Sequence, residues 1–254
     1  TLIDADSAQI EARVLAWLAG QDDLTQAFRD GEDVYKKMAS RIYGVKEEDV
    51  TKEQRFVGKT TILGAGYGMG AQKFQNQLQT FGFDMELDEA RRVIKIYREA
   101  NYNINELWRD AQRYLQHASA FGLKDVLKIE DGTIILPSGL KLRYEDLQFD
   151  QTDKGFEFHY KVRRGRNRIY GGKVIENVCQ AIARCIIGEQ MLKIAQKHRV
   201  VLTVHDSVVC CVKDEDVVEA QEYIEECMRW TPDWAEGLPI NCESGTGKSY
   251  GDCE

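Results

Sequence analysis

Residues 1–20 read TLIDADSAQIEARVLAWLAG. Leu2 and Ile3 open a short strand that runs into a turn at Asp6. A helix is expected from Gln9, with Ile10, Val14, Trp17 and Leu18 at helical spacing and Gly20 as its stop. Asp6 therefore stands at a strand end, and a second carboxylate, Glu11, follows in the turn beyond it. Asp4 lies two residues earlier and shares a strand face with Asp6. An Asp in a strand-to-helix turn is commonly a helix cap, so this stretch decides the local fold but not yet a function.

Working outward, Val34, Met38 and Ile42 mark a second amphipathic helix closed by Gly44. Thr51-Lys52-Glu53-Gln54 fits a capping box, so a helix starts there and runs toward Tyr67. Leu87-Asp88-Glu89 opens another, and residues 91–114 read as helix apart from a break near Asn101 to Asn103. Two strand runs surround the Asp131-Gly132 and Pro137-Ser138-Gly139 turns, and a third covers 156–162. Lys173 to Gln196 is a long helix. The β-branched run 200–212 is interrupted by His205-Asp206-Ser207, and a helix from Glu215 to Arg229 follows. The expected fold class is mixed α/β with a mostly helical middle.

At 254 residues the chain is long enough for one large domain or two interleaved ones. Charged residues make up 30% and hydrophobic ones 43%, a folded soluble profile rather than a disordered one. No apolar run is long enough to span a bilayer, and no signal segment opens the chain, so no membrane partner is expected. Thr1 sits inside a strand without an initiator Met, which reads as a piece of a longer protein. The seven cysteines are scattered without a C-x-x-C pair, which argues for core packing in a reduced cytoplasmic compartment rather than a zinc site. Cys210 and Cys211 should alternate faces, making a mutual disulfide awkward.

The net charge of -8 argues weakly against a nucleic-acid partner. Against it stands a basic stripe of Lys161, Arg163, Arg164, Arg166, Arg168 and Lys173, which is either a phosphate track or a solvated loop. Arg55, Lys59, Leu63 and Tyr67 are spaced four apart and share one helix face. Two cations near a helix N-terminus suit a polyphosphate, and an aromatic ring at the far end suits a base. His205-Asp206-Ser207 exposes an acid at a hairpin turn, which alone is ordinary turn chemistry.

In this order the three constellations resemble family A DNA polymerases. Asp6 through Arg13 is similar to motif A, D-x-S-Q-I-E-x-R. Arg55 through Gly68 is similar to motif B, R-x-x-x-K-x-x-x-[FY]-x-x-x-Y-G, and Val204-His205-Asp206 to motif C. Gln180-Ala181 and the ending 243–251 fit too, with phage members nearest in pattern.

The resemblance implies a palm with an antiparallel sheet and mostly helical fingers, with the thumb and any exonuclease region missing from this stretch. It divides the chain into palm at 1–15, fingers at 16–167 and palm again at 168–254. It implies a core that adds deoxynucleotides (dNTPs) to a primer on primer–template DNA in the cytoplasm, that of the host if the chain is phage-encoded. Asp6 and Asp206, with Ser7, would hold two Mg²⁺ ions. Arg55 and Lys59 would neutralise the nucleotide phosphates, and Lys59 could also protonate the leaving pyrophosphate. Gln9, Glu11, Tyr35, Leu63 and Tyr67 complete the nucleotide contacts, while His205, Gln180, Tyr67 and Gly68 meet primer or template. Glu11 would exclude the ribose 2′-hydroxyl. Two further readings are a catalytically weak fragment that grips primer–template and a single-subunit RNA polymerase; Glu11 speaks against the latter.

Several positions depart from the pattern. Ser7 and Ala8 replace the usual aromatic-Ser pair, Leu63 an aromatic, Tyr35 a frequent His, and Ser207 a frequent Glu. Glycines 64, 66, 68 and 70 point either to a helix end that approaches DNA or bends, or to a helix that simply stops near Leu63. Gly245-Thr246-Gly247-Lys248-Ser249 matches only half a phosphate-binding loop, because Cys242 stands where the first Gly is needed.

Overall fold

The computed structural model describes residues 1–117, 126–130, 132–153 and 155–253. Asp131, one half of the expected Asp131-Gly132 turn, lies outside them. The chain divides into two compact units: Thr1–Val14 with Cys179–Glu254, and Leu15–Val178. Among the described residues no helix is long and apolar enough to cross a membrane.

The first unit is built on strand β1 (Leu2–Ser7), flanked by β10 (Cys242–Gly247) and β9 (Ser207–Cys211), with β8 (Val200–Val204) at the edge. Every pairing is antiparallel. Alternation sends Ile3 and Ala5 to one face together with Val208, Cys210 and Cys242. There they pack against Ala220, Ile224, Cys227 and Met228 of helix α9 (Val217–Arg229). Ile187 and Ile194 of helix α8 (Gly171–Ile194) close the same core. Ile3, Ile187 and Ile194 are essentially fully buried, each such side chain contributing about 1.5–3 kcal/mol.

The opposite face carries Asp4 and Asp6, with Gly245 and Glu243 beside them on β10. A Cβ at Gly245 would overlap the Cys253 carbonyl, and one at Gly247 would lie 2.6 Å from Asp252 Cβ. These two glycines let the C-terminal turn lie flat on the sheet; they serve backbone packing, and β10 is a strand rather than a phosphate loop. Cys210 is buried and Cys211 exposed, as alternation requires.

The second unit is mostly helical: α2 (Asp22–Arg29), α3 (Val34–Tyr43), α4 (Lys52–Ala65), α5 (Ala71–Thr80), α6 (Leu87–Ala100) and α7 (Tyr102–His117). Helix α1 (Ile10–Ala19) precedes them. Asp33 caps α3 by accepting from the Tyr35 and Lys36 amides, and Gly44 ends it at φ 67°. Thr51 and Gln54 form the expected capping box of α4. That helix stops at Ala65, so Tyr67 and Gly68 fall in the turn beyond it rather than on its face. The Trp108 indole donates to the Gly66 carbonyl at 2.9 Å, and a Cβ at Gly172 would lie 2.5 Å from the Tyr67 carbonyl oxygen. The end of α4 is thus packed within the unit at Gly66 and Tyr67, whereas a Cβ at Gly70 would meet nothing within 4 Å.

Two three-stranded antiparallel sheets complete this unit. One comprises β2 (Lys128–Glu130), β3 (Thr133–Ile135) and β4 (Lys141–Leu142); the other β5 (Gln148–Thr152), β6 (Gly155–Lys161) and β7 (Arg166–Ile169). Half of the basic stripe is neutralised here. Arg166 pairs with Asp146 at 2.7 Å, Arg168 with Glu157 at 3.0 Å and Lys173 with Glu176 at 2.6 Å. Lys161, Arg163 and Arg164 remain exposed.

Candidate active site

In the first unit the chain leaves β1 at Ser7, and three backbone links set the turn. The Ser7 amide donates to the Asp206 carbonyl at 3.2 Å and the Ala8 amide to the Asn241 carbonyl at 2.9 Å. Gln9 takes a positive φ of 56° and its carbonyl accepts the first helical bond of α1, from the Arg13 amide at 3.1 Å. Arg13 is 5% exposed. Its guanidinium donates to the Ala8 carbonyl at 2.7 Å and the Pro239 carbonyl at 3.3 Å, tying the turn to the loop before β10. Spacing marked Arg13 as part of a pattern; only the fold shows that it holds the turn behind Asp6.

Across the sheet, Val204 pairs with Ser207, leaving His205 and Asp206 as a two-residue hairpin turn. His205 adopts φ 53°, a conformation that costs a non-glycine residue and that Asn, Asp and His adopt more readily than most. Asp6 lies opposite Ser207 on one side and Glu243 on the other. The hairpin thereby sets the Asp206 carboxylate beside that of Asp6.

The electrostatic consequence is direct. Burial raises the Asp6 carboxyl first, and the charges of Asp206, Asp4 and Glu243 push it further, to about 6. His205 works weakly in the opposite direction. One Asp4 carboxylate oxygen is buried without a hydrogen-bond partner, and so is the Ser7 hydroxyl. Among the described residues no group of three or more His, Cys, Asp or Glu side chains is arranged to hold an ion alone. The donors are nonetheless all hard oxygens under mutual repulsion, the situation a divalent cation relieves. A cation bound by only two protein carboxylates takes its remaining oxygens from water and phosphates, which is how Mg²⁺ is usually held.

Facing this turn is a cleft of about 380 Å³ lined by Glu11 of α1, Gln180 of α8, and His205 and Asp206. The fold therefore brings Asp6, Ser7, Gln9, Glu11, Gln180, His205 and Asp206 together in one unit.

Tyr35, Arg55, Lys59, Leu63, Tyr67 and Gly68 belong to the other unit. Arg55 donates from Nε to Asp33 at 2.7 Å, and its guanidinium lies 5.3 Å from the Tyr35 ring centroid. Burial opposes ionisation of Asp33, but the Arg55 side chain and the Lys36 and Tyr35 amides outweigh it, so the carboxyl sits below its usual range. Arg55 is thus fixed against the N-terminus of α3 by two residues some twenty positions earlier. One helical turn on, Lys59 is exposed, and Leu63 follows at 39% exposure on the same face.

Over residues 1–127 the chain matches the model of DNA polymerase family A. A DNA polymerase of Bacillus phage SP02 is 30% identical over 267 residues, covering 94% of this chain and 39% of that protein. DNA polymerase I of Rhizobium leguminosarum is 28% identical, covering 89% of this chain and 20% of the relative. The chain therefore spans well under half of these relatives. A solved polymerase domain from M. smegmatis, in complex with DNA primer-template and dNTP, superposes with a TM-score of 0.67 over 99% of this chain and 40% of that one, at 22% identity. This chain belongs to DNA polymerase family A.

Proposed function

We propose that the chain is the catalytic core of a template-directed DNA polymerase, adding deoxynucleotides to a primer 3′ end. The Thr1–Val14 and Cys179–Glu254 unit is read as palm and the Leu15–Val178 unit as fingers. The observation that carries this reading is the placement of Asp6 and Asp206 side by side by the β1–β9 pairing and the hairpin turn. Asp6 and Asp206, with the Ser7 carbonyl, would hold Mg²⁺, two ions in the full reading, which supply charge neutralisation at the reacting phosphate and an acidified 3′-hydroxyl. Gln180 and His205 steady the primer–template end in the cleft. In the fingers, Arg55 and Lys59 bind the triphosphate of the incoming nucleotide, and Lys59 gives a proton to the departing pyrophosphate. Gln9 and Tyr35 support the nucleotide, and Tyr67 with Gly68 borders the templating base. Primer extension by the full-length parent, with and without Asp6→Asn and Asp206→Asn, tests the reading.

Glu11 serves as the gate against ribose. It is half-buried on the first turn of α1 and lines the same cleft as Asp206. Glu11→Ala is expected to raise the ratio of ribonucleotide to deoxyribonucleotide specificity constants by about tenfold or more, the scale of steric exclusion in a pocket. An unchanged ratio in single-nucleotide incorporation removes Glu11 from this role.

Leu63 borders the sugar on the face shared with Lys59. Leucine is smaller and less rigid than an aromatic ring, so the nucleotide is held less firmly in its reactive pose. Leu63→Tyr supplies a phenolic hydroxyl that stands in for the 3′-hydroxyl a dideoxynucleotide lacks. Relative use of dideoxynucleotides should rise about tenfold. Identical discrimination in single-turnover assays would mean that this face of α4 does not meet the sugar.

A further inference from the structure

The cleft beside Asp206 holds one charged group that the proposed reaction does not use. Arg184 lines it together with Glu11, Gln180, His205 and Asp206. It follows Gln180 by four residues on α8, so the two side chains share a helix face and stand about 6 Å apart along the axis. Both are exposed. Among the described residues Arg184 makes no ion pair, although two carboxylates line the same cleft. The other arginines with a structural task in this unit are engaged: Arg13 with backbone carbonyls, and Arg229 with Glu225 at 2.9 Å.

A guanidinium left unpaired beside acidic side chains, in a cleft open to solvent, is suited to an anion delivered with the substrate. Its planar fork matches the two free oxygens of a phosphodiester, a bidentate geometry that neither Gln180 nor His205 offers. In the polymerase reading the nucleotide triphosphate is already served by Arg55 and Lys59. The anion that accompanies a 3′-hydroxyl to Asp206 is the backbone of the strand being extended.

We propose that Arg184 binds a phosphodiester of the primer strand just behind its growing end. This rests on the polymerase reading and deepens it. Gln180 and Arg184 then form a two-step track along one face of α8, with Gln180 reading the terminal nucleotide and Arg184 the linkage behind it. The contact is to the backbone, so it is blind to sequence and sensitive to salt.

The test uses the full-length parent and primer–templates in which one primer linkage at a time, over the last four, is a neutral methylphosphonate. Arg184→Ala should weaken primer–template binding about tenfold, the loss expected for one charged hydrogen bond to phosphate. It should lower the slope of log Kd against log salt by about one, and leave the KM for the nucleotide unchanged. In the wild type one neutral linkage should weaken binding similarly. In Arg184→Ala that same linkage should cost nothing more, while losses at the other three stay additive. Arg184→Lys should recover part of the affinity, because it restores the charge but not the fork. Additive losses at all four linkages overturn the proposal. So does a raised nucleotide KM with unchanged primer affinity, or coupling to template linkages instead. A wild-type parent that does not extend a primer sinks the polymerase reading itself, whereas one that extends without this coupling removes Arg184 alone. Because Arg184 is exposed, an unchanged thermal midpoint verifies that the variant is folded.

Discussion

Asp6→Asn and Asp206→Asn in the full-length parent should each lower the rate of nucleotide addition by about a thousandfold or more, equivalent to ~4 kcal/mol of transition-state stabilisation. Primer–template affinity should stay within a few-fold, because the proposed phosphate contacts lie on other residues. Loss of a group that acts only in the transition state lowers kcat and kcat/KM together. A decline of less than tenfold in single-turnover extension would remove these residues from the chemistry. The same substitution at Asp6 has an opposite effect on stability. The folded-state carboxyl is raised to about 6 from its ordinary value of 3.8, so ionisation is disfavoured in the fold. Stability is full below the unfolded pKa and declines as pH rises toward 6, after which the deficit is constant. The Asp6 carboxyl is only partly buried, since the residue keeps contact with solvent, so screening reduces this to about 1 kcal/mol. Asp6→Asn should therefore raise the melting temperature by about 2–4 °C at pH 7.5 without divalent ions, and leave it unchanged near pH 3. Added Mg²⁺ should narrow the gap by stabilising the wild type. A site that loses activity while gaining stability is what a carboxylate held for catalysis rather than for folding predicts.

What could be read in the sequence is whatever local spacing encodes. Alternation places Asp4 and Asp6 on one face of β1, the Thr51–Gln54 box starts α4, and the interruption of a β-branched run puts Asp206 in a hairpin turn. Each rule spans fewer than about eight residues, and each needs no knowledge of neighbours. Two helices escaped for lack of such a signal. In α2 only Leu24, Ala27 and Phe28 are apolar, too few to show a period, and α5 is rich in glutamine with Phe74 and Leu78 as its buried pair. Strand β5 is exposed throughout, so it has no alternation to detect.

Partnerships between distant positions were equally hidden. The basic run from Lys161 to Lys173 contains no acid, yet Asp146, Glu157 and Glu176 come to it through strand pairing and a helical turn. Arg55 reads as a free cation near a helix start, but Asp33 and Tyr35 hold it. Arg184 lies in the long helix with nothing in its neighbours to distinguish it from a surface arginine. Only the cleft does that.

The glycines show the same divide most sharply, and one of them carries the largest expected effect on stability. Gly64, Gly66, Gly68 and Gly70 stand out because they alternate, whereas Gly58 sits alone in the middle of α4. Gly58 nevertheless marks the tightest approach of α4 to α3. A Cβ there would overlap the Tyr35 carbonyl oxygen and lie 3.1 Å from Ala39 N and 3.2 Å from Ala39 Cβ. Helix propensity alone favours Gly58→Ala by ~1 kcal/mol. The obstruction is main chain, which cannot rotate away as a side-chain tip would, so the helices must separate and give up their buried packing. Overpacking against main chain falls at or just above the top of the usual range, about 3 kcal/mol or a little more, and outweighs the propensity gain. Gly58→Ala should therefore destabilise the protein by about 2–3 kcal/mol in denaturant unfolding. Gly188→Ala is the matched contrast. That glycine also lies inside a helix, α8, but its Cβ would meet nothing within 4 Å, so the same substitution should stabilise by up to ~1 kcal/mol. Separation of α3 from α4 would also stretch the 2.7 Å Arg55–Asp33 ion pair. Gly58→Ala in the parent should accordingly raise the KM for the nucleotide several-fold under conditions where the protein stays folded. Equal stabilisation by both substitutions would mean that α3 and α4 do not approach this closely, and that Arg55 is not held where the nucleotide reading needs it.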